Sequence, residues 1–154
     1  MKDLNKKLMI EQLDRKFNKL AVLKDLDISS KGWINAIRTG MNMSLVQLAK
    51  RLKITPVSVR EIEQREADRG ITLKKLMEVA EALECRFVYG FIPNEGSLDK
   101  TIEKRAKQVA NEIVLRTSHT MKLEDQENSE KRIKKAIKDR AEKIKNELPK
   151  YLWD

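Results

Sequence analysis

Within the six residues 56–61, Pro56, Val57, Arg60 and Glu61 bring together side chains able to read the edges of base pairs. Val57 can touch a thymine methyl, Glu61 can accept from cytosine N4, and Arg60 can donate to guanine or to a phosphate, with Pro56 close to the duplex. A glutamate on such a face repels phosphate unless it finds a donor, so it selects against wrong sequences as well as for the right one. Glu61 has a second use open to it, an ion pair with Arg65 across one helical turn. Lys50, Arg51, Lys53, Arg65, Arg69, Lys74 and Lys75 bracket the stretch, and Ser44, Gln47, Thr55 and Ser58 add short hydrogen-bonding groups. These suit phosphate oxygens, which fix register, while base edges carry the sequence information.

Such side chains act only when an element presents them together. Ser44 followed by Gln47 is a capping-box pair, and Leu45, Leu48, Ala49 and Leu52 then recur at helical spacing. Thr55 is a second N-cap, with Pro56 at the first helical position, where its missing N–H costs nothing. Val59 and Ile62 face inward and leave Pro56, Val57, Arg60 and Glu61 outside. Two short helices and a tight turn make a helix-turn-helix, whose second helix enters the major groove; a helical hairpin in an ordinary bundle has the same apolar spacing. The stretch from Ile54 to Glu63 resembles the recognition helix of phage-repressor-type helix-turn-helix domains. Leu45 stands where that family often carries a glutamine that braces a phosphate contact, so that role is not carried over.

No other constellation in the sequence assembles a reaction centre. His119 is the single histidine and Cys85 the single cysteine, without partners at metal-ligand spacing. Neither a nucleophile with its base nor a glycine-rich phosphate loop is recognisable. The expectation is a protein that is not an enzyme, with no catalytic residue, metal or cofactor; His119 serves polar packing and Cys85 is buried. A formal charge of +9 on 154 residues agrees with a polyanionic partner. With no run of about eighteen apolar residues and no signal-peptide core at the N-terminus, a cytoplasmic location without membrane contact is expected.

The expected architecture is mainly α: a repressor-type helix-turn-helix bundle with one short β-strand and flanking N- and C-terminal helices. Residues 1–30 form an amphipathic helix, through Leu4, Leu8, Leu13, Phe17 and Leu20, and a linker. Residues 31–93 form the DNA-binding domain, in which Trp33, Ile34 and Ile37 begin one helix, Gly40 closes it, and Thr72 caps another through Leu83. Phe87, Tyr89 and Phe91 alternate before Pro93 and read as a strand. Its partner is either the same strand of a second subunit, making a homodimer, or none, with the aromatics covering a helix edge. Residues 94–154 form a helical partner-binding region. Its first helix, through Leu98, Ile102, Ala106, Ala110, Ile113 and Val114, is too polar for a core element, and the last, from about Ser129, carries Ile133, Ile137, Ile144 and Leu148 before Pro149. Their apolar stripes serve contact with each other or with a partner protein.

Gly32-Trp33-Ile34, the helix-turn-helix, the segment before Pro93 and residues 115–126 together resemble the mobile mystery protein A family over nearly the whole chain. The resemblance implies an antitoxin encoded beside a Fic-domain protein, an enzyme class that usually transfers AMP to target proteins. Many Fic enzymes are held inactive by a helix bearing Ser or Thr, three residues, Glu, then Gly or Asn. Thr120 and Glu124 match that pattern, with Asp125 in the following position. Four apart, they share one face of a helix, and the resemblance implies that Glu124 pairs with the arginine meant for the ATP γ-phosphate. Without that role Glu124 is a solvated carboxylate and the chain a stand-alone dimeric repressor.

Overall fold

The computed structural model describes residues 2–118 and 126–154, and places them in two compact units, Met1–Lys24 with Gly90–Asp154, and Asp25–Tyr89. Among the described residues seven α-helices run in chain order: α1 Lys2–Leu20, α2 Gly32–Gly40, α3 Leu45–Leu52, α4 Pro56–Ala67, α5 Leu73–Ala82, α6 Leu98–Ser118 and α7 Gln126–Glu147.

In the unit Asp25–Tyr89, local chemistry sets each helix boundary. The capping box at α3 is complete: Gln47 N–H donates to Ser44 Oγ at 3.2 Å, and Ser44 N–H donates to Gln47 Oε1 at 2.7 Å. Lys53 ends α3 in the left-handed region at φ 55°. Thr55 Oγ1 then accepts from Ser58 N–H at 3.1 Å to start α4, and Thr72 Oγ1 accepts from Lys75 N–H at 3.2 Å to start α5. The four helices close over Leu48, Val59 and Val79, all fully buried, with Ile34, Ala49, Ile62 and Leu83 beside them. Residues of α2, α3, α4 and α5 contribute to this one core, as the apolar spacing predicted.

The expected β-strand is absent among the described residues: 85–93 belongs to no helix and forms no ladder. A strand exists by pairing, and one chain supplies no second strand here. The alternation still shows, because Phe87 and Tyr89 lie on one side with ring centroids 6.1 Å apart. Tyr89 and Phe91 are 66% and 75% exposed, so neither covers a helix edge. Cys85 is exposed, not buried. Glu84 takes a left-handed turn at φ 58° after the buried Leu83, and Cys85 Sγ donates only to the Leu83 carbonyl.

The other unit packs α1, α6, α7 and a 3-10 helix, Lys150–Trp153. Here α6 is a core element, against expectation: Ile102, Ala106, Val109 and Ala110 are buried with Ala141, Ile144 and Leu152. A narrow stripe suffices because its alanines let helices approach closely. Ile10 of α1 packs on the same cluster. Asp14 of α1 caps α6, accepting from Leu98 N–H at 2.6 Å and Asp99 N–H at 3.2 Å. After Pro149, the terminal turn is held by Arg105, which donates to the carbonyls of Leu152 at 2.7 Å and Asp154 at 2.6 Å. The N-terminal part of α1 leaves Leu4, Leu8 and Met9 exposed.

Candidate nucleic-acid interface

The two faces of α4 have opposite characters. Val59 and Ile62 are buried, at 0% and 7% exposure, whereas Val57 is 68% exposed and Pro56, Arg60 and Glu61 are exposed beside it. The first two turns of α4 therefore present an aliphatic surface, a guanidinium and a carboxylate on one side. No ion pair joins Glu61 to Arg65 among the described residues, so the Glu61 carboxylate is available to an external donor.

The polar groups around this face fall into two sets. The side chains of Lys50, Lys53, Arg65, Arg69 and Lys74 have no hydrogen bond or ion pair among the described residues. Ser44, Gln47, Thr55 and Ser58 are occupied in capping, Ser58 Oγ also lying 2.8 Å from Thr55 Oγ1. In the capping box it is the Gln47 carbonyl that is used, which leaves its amide NH2 free to donate. Arg51 is engaged at the surface: Nη1 donates to the Ala82 carbonyl and to Glu84, each at 3.1 Å. Lys75 pairs with Glu78 at 2.6 Å, and the salt bridge holds the Glu78 carboxyl below the usual range.

A network that sequence reasoning missed holds α4 in place. Glu63 is only 8% exposed and receives Arg38 Nε at 2.5 Å, Arg38 Nη2 at 3.1 Å and Asn35 Nδ2 at 2.9 Å. Arg38 Nη1 donates to the Met43 carbonyl at 2.9 Å, tying in the end of the α2–α3 turn. Burial alone would push the Glu63 carboxyl up, but the hydrogen bonds from Arg38 and Asn35 and the charges of Arg38 and Arg60 outweigh it and hold the group below its ordinary value. The same pair raises Arg38. One turn further on, Glu66 accepts from Trp33 N–H at 2.9 Å and Ile34 N–H at 2.8 Å, capping α2 from a neighbouring helix. Gly32 makes room for it: its φ is +83°, and a Cβ there would lie 2.6 Å from Glu66 Oε2. The signal was present in the spacing, since Glu63 follows Val59 by four and Ile62 by one and so belongs to the inner face.

With this geometry in view, residues 34–89 match the family described as helix-turn-helix. The match spans all of the described network except Gly32 and Trp33, covers little over a third of the chain, and supports a DNA-binding transcriptional regulator. No curated protein and no solved structure matches the chain. Thr120, Glu124 and His119 lie outside the described residues. Among the described residues there is no group of His, Cys, Asp and Glu that could hold a metal ion, and no helix long and apolar enough to cross a membrane.

Proposed function

We propose that this chain is the DNA-binding antitoxin of a toxin–antitoxin pair, repressing its own operon through α4 and inhibiting a Fic-domain AMP transferase through a C-terminal segment carrying Thr120 and Glu124. The observation that supports the DNA half is the exposed Pro56, Val57, Arg60 and Glu61 face on a helix whose other side is locked into the core. Val57 meets a thymine methyl, Glu61 a cytosine amine, and Arg60 a guanine or phosphate. The unpaired Lys50, Lys53, Arg65, Arg69 and Lys74 meet phosphates. Arg51 and Lys75 join them by exchanging their present partners for phosphate oxygens. The Fic half rests on the family resemblance and on Glu124 four residues after Thr120.

A homodimer accompanies this reading. The exposed segment with Phe87, Tyr89 and Phe91 pairs with its copy in a second subunit, and the dimer reads two half-sites about 34 Å apart. A stand-alone dimeric repressor is the alternative.

The test has two parts. Selection of bound sequences from a random duplex library, by the wild type and by Arg60→Ala and Glu61→Ala, is expected to return different preferences; unchanged profiles in both variants would remove them from base reading. In the same proteins Glu124→Gly is expected to release AMP transfer by the co-expressed Fic enzyme while operator binding stays intact. Full inhibition by Glu124→Gly would remove Glu124 from the mechanism, and no association with the enzyme would leave the repressor alone.

A further inference from the structure

The charge of this chain lies mostly outside its helix-turn-helix. Residues 1–24 and 90–154 hold 22 basic and 15 acidic residues, a net +7, against +2 for residues 25–89. Within the larger excess, α6 and α7 border a groove of about 760 Å³. Ile137 and Ala141 form an aliphatic floor, and the polar rim is sorted along its length. At one end the charges are matched internally, Lys107 with Glu103 at 2.7 Å and Lys145 with Asp99 at 2.9 Å and Glu103 at 3.4 Å. At the other end Lys134 and Lys138, four residues apart, face Gln108 and Asn111, and none of these four side chains has a hydrogen bond or ion pair among the described residues.

We infer that this groove is a docking site for an acidic amphipathic helix of a protein partner. From Lys134 to Lys145 it runs about 16 Å, three helical turns. A helix laid there buries its apolar stripe on Ile137 and Ala141, and carboxylates near one end meet Lys134 and Lys138 while the amides of Gln108 and Asn111 donate beside them. A phosphodiester backbone fits less well. It would gain nothing from the aliphatic floor, and it would meet Glu103 and the unpaired Glu142 at the far end. The inference concerns α6 and α7 alone and stands whether or not the partner is a Fic enzyme.

The test uses the full chain and a labelled synthetic helical peptide of about 18 residues, with leucines along one face and glutamates flanking them, read by fluorescence anisotropy. Saturable binding is expected, weakened about tenfold in the double variant Lys134→Glu/Lys138→Glu, since two exposed pairs are lost and then opposed. Arg132→Glu/Lys143→Glu places the same charge change on the other side of α7 and is expected to leave binding within about twofold. Equal losses in both double variants would overturn the site, as would undiminished binding of a peptide with glutamine in place of every glutamate. A non-operator DNA duplex that binds more tightly than the peptide and loses the same tenfold at Lys134 and Lys138 would reassign the groove to nucleic acid.

Discussion

The two units treat a buried guanidinium nitrogen in opposite ways. In the helix-turn-helix unit, Arg38 is 11% exposed at its side chain, and its donors go to Glu63 and the Met43 carbonyl. In the other unit, Arg140 Nε is buried with no hydrogen-bond partner among the described residues. The difference teaches where specification is needed. The proposed reading of bases by α4 requires that helix to be held in one orientation, and a network from α4 to both ends of α2 holds it; α6 and α7 meet through alanine and isoleucine, with ion pairs from Lys145 to Asp99 and Glu103 at one end. The helix-turn-helix unit carries little excess charge, +2 in all, and its unpaired cationic side chains, Lys50, Lys53, Arg65, Arg69 and Lys74, are shared among α3, α4, α5 and the turns between them.

The comparison breaks most visibly at Arg38. Arg38→Met leaves Glu63 buried and uncompensated and is expected to cost about 3–5 kcal/mol at neutral pH, read by urea unfolding with hydrogen exchange to localise the loss to α2–α5. The effect depends on pH in a defined sense. With a folded pKa below the unfolded value of about 4.3, Glu63 stabilises the wild type fully above that value, and the contribution is lost as pH falls through the depressed folded pKa. In Arg38→Met the burial of Glu63 without its guanidinium pushes the carboxyl upward, so the gap between wild type and variant is expected to start narrowing above about pH 4.3, as the variant's carboxyl takes up its proton, and to go on narrowing below it; a gap unchanged on acidification would show that Glu63 is not the partner that matters.

Next come the two cores, where the units should behave alike. Leu48 and Leu152 are both fully buried, so Leu48→Ala and Leu152→Ala are each expected to cost about 2–5 kcal/mol. Exchange rates should rise in residues 25–89 for the first and around α6 and α7 for the second. A smaller step is Asp14→Ala, which leaves the Leu98 and Asp99 N–H groups without their cap and is expected to cost about 1 kcal/mol, with fraying of the first turn of α6 in amide exchange.

These sites also show how far the sequence was legible. The helix-turn-helix could be read because its instructions are local: Ser44 with Gln47, Thr55 before Pro56, and apolar steps at Val59 and Ile62 all act within one turn. Hence the exposed positions of Pro56, Val57, Arg60 and Glu61 followed from spacing alone. What escaped depends on contacts distant in sequence. Glu63 to Arg38 spans 25 positions, Glu66 to Trp33 spans 33, and Asp14 to Leu98 spans 84. The α6 core escaped for a related reason: a stripe of alanines looks polar when averaged with its lysines, and becomes a core only once α7 and Leu152 lie against it. The strand reading erred in the opposite direction, since alternation at Phe87 and Tyr89 states which side a residue faces but supplies no partner to pair with.

The smallest expected effect is also the sharpest contrast with Arg38. Arg140→Met makes the same chemical change as Arg38→Met, but no carboxylate is left behind, because Arg140 Nε has no partner to abandon. A methionine keeps most of the aliphatic stem that packs beside the core and removes a polar atom buried without a hydrogen bond. Its expected cost is within about 0.5 kcal/mol of zero, and a gain in stability is the preferred sign. Parallel urea titrations of the two variants measure the contrast directly. A loss of several kcal/mol at Arg140, comparable with that at Arg38, would mean that α7 is held by a guanidinium network after all, and the contrast between a buried guanidinium nitrogen held by a carboxylate and one left without a partner would fall.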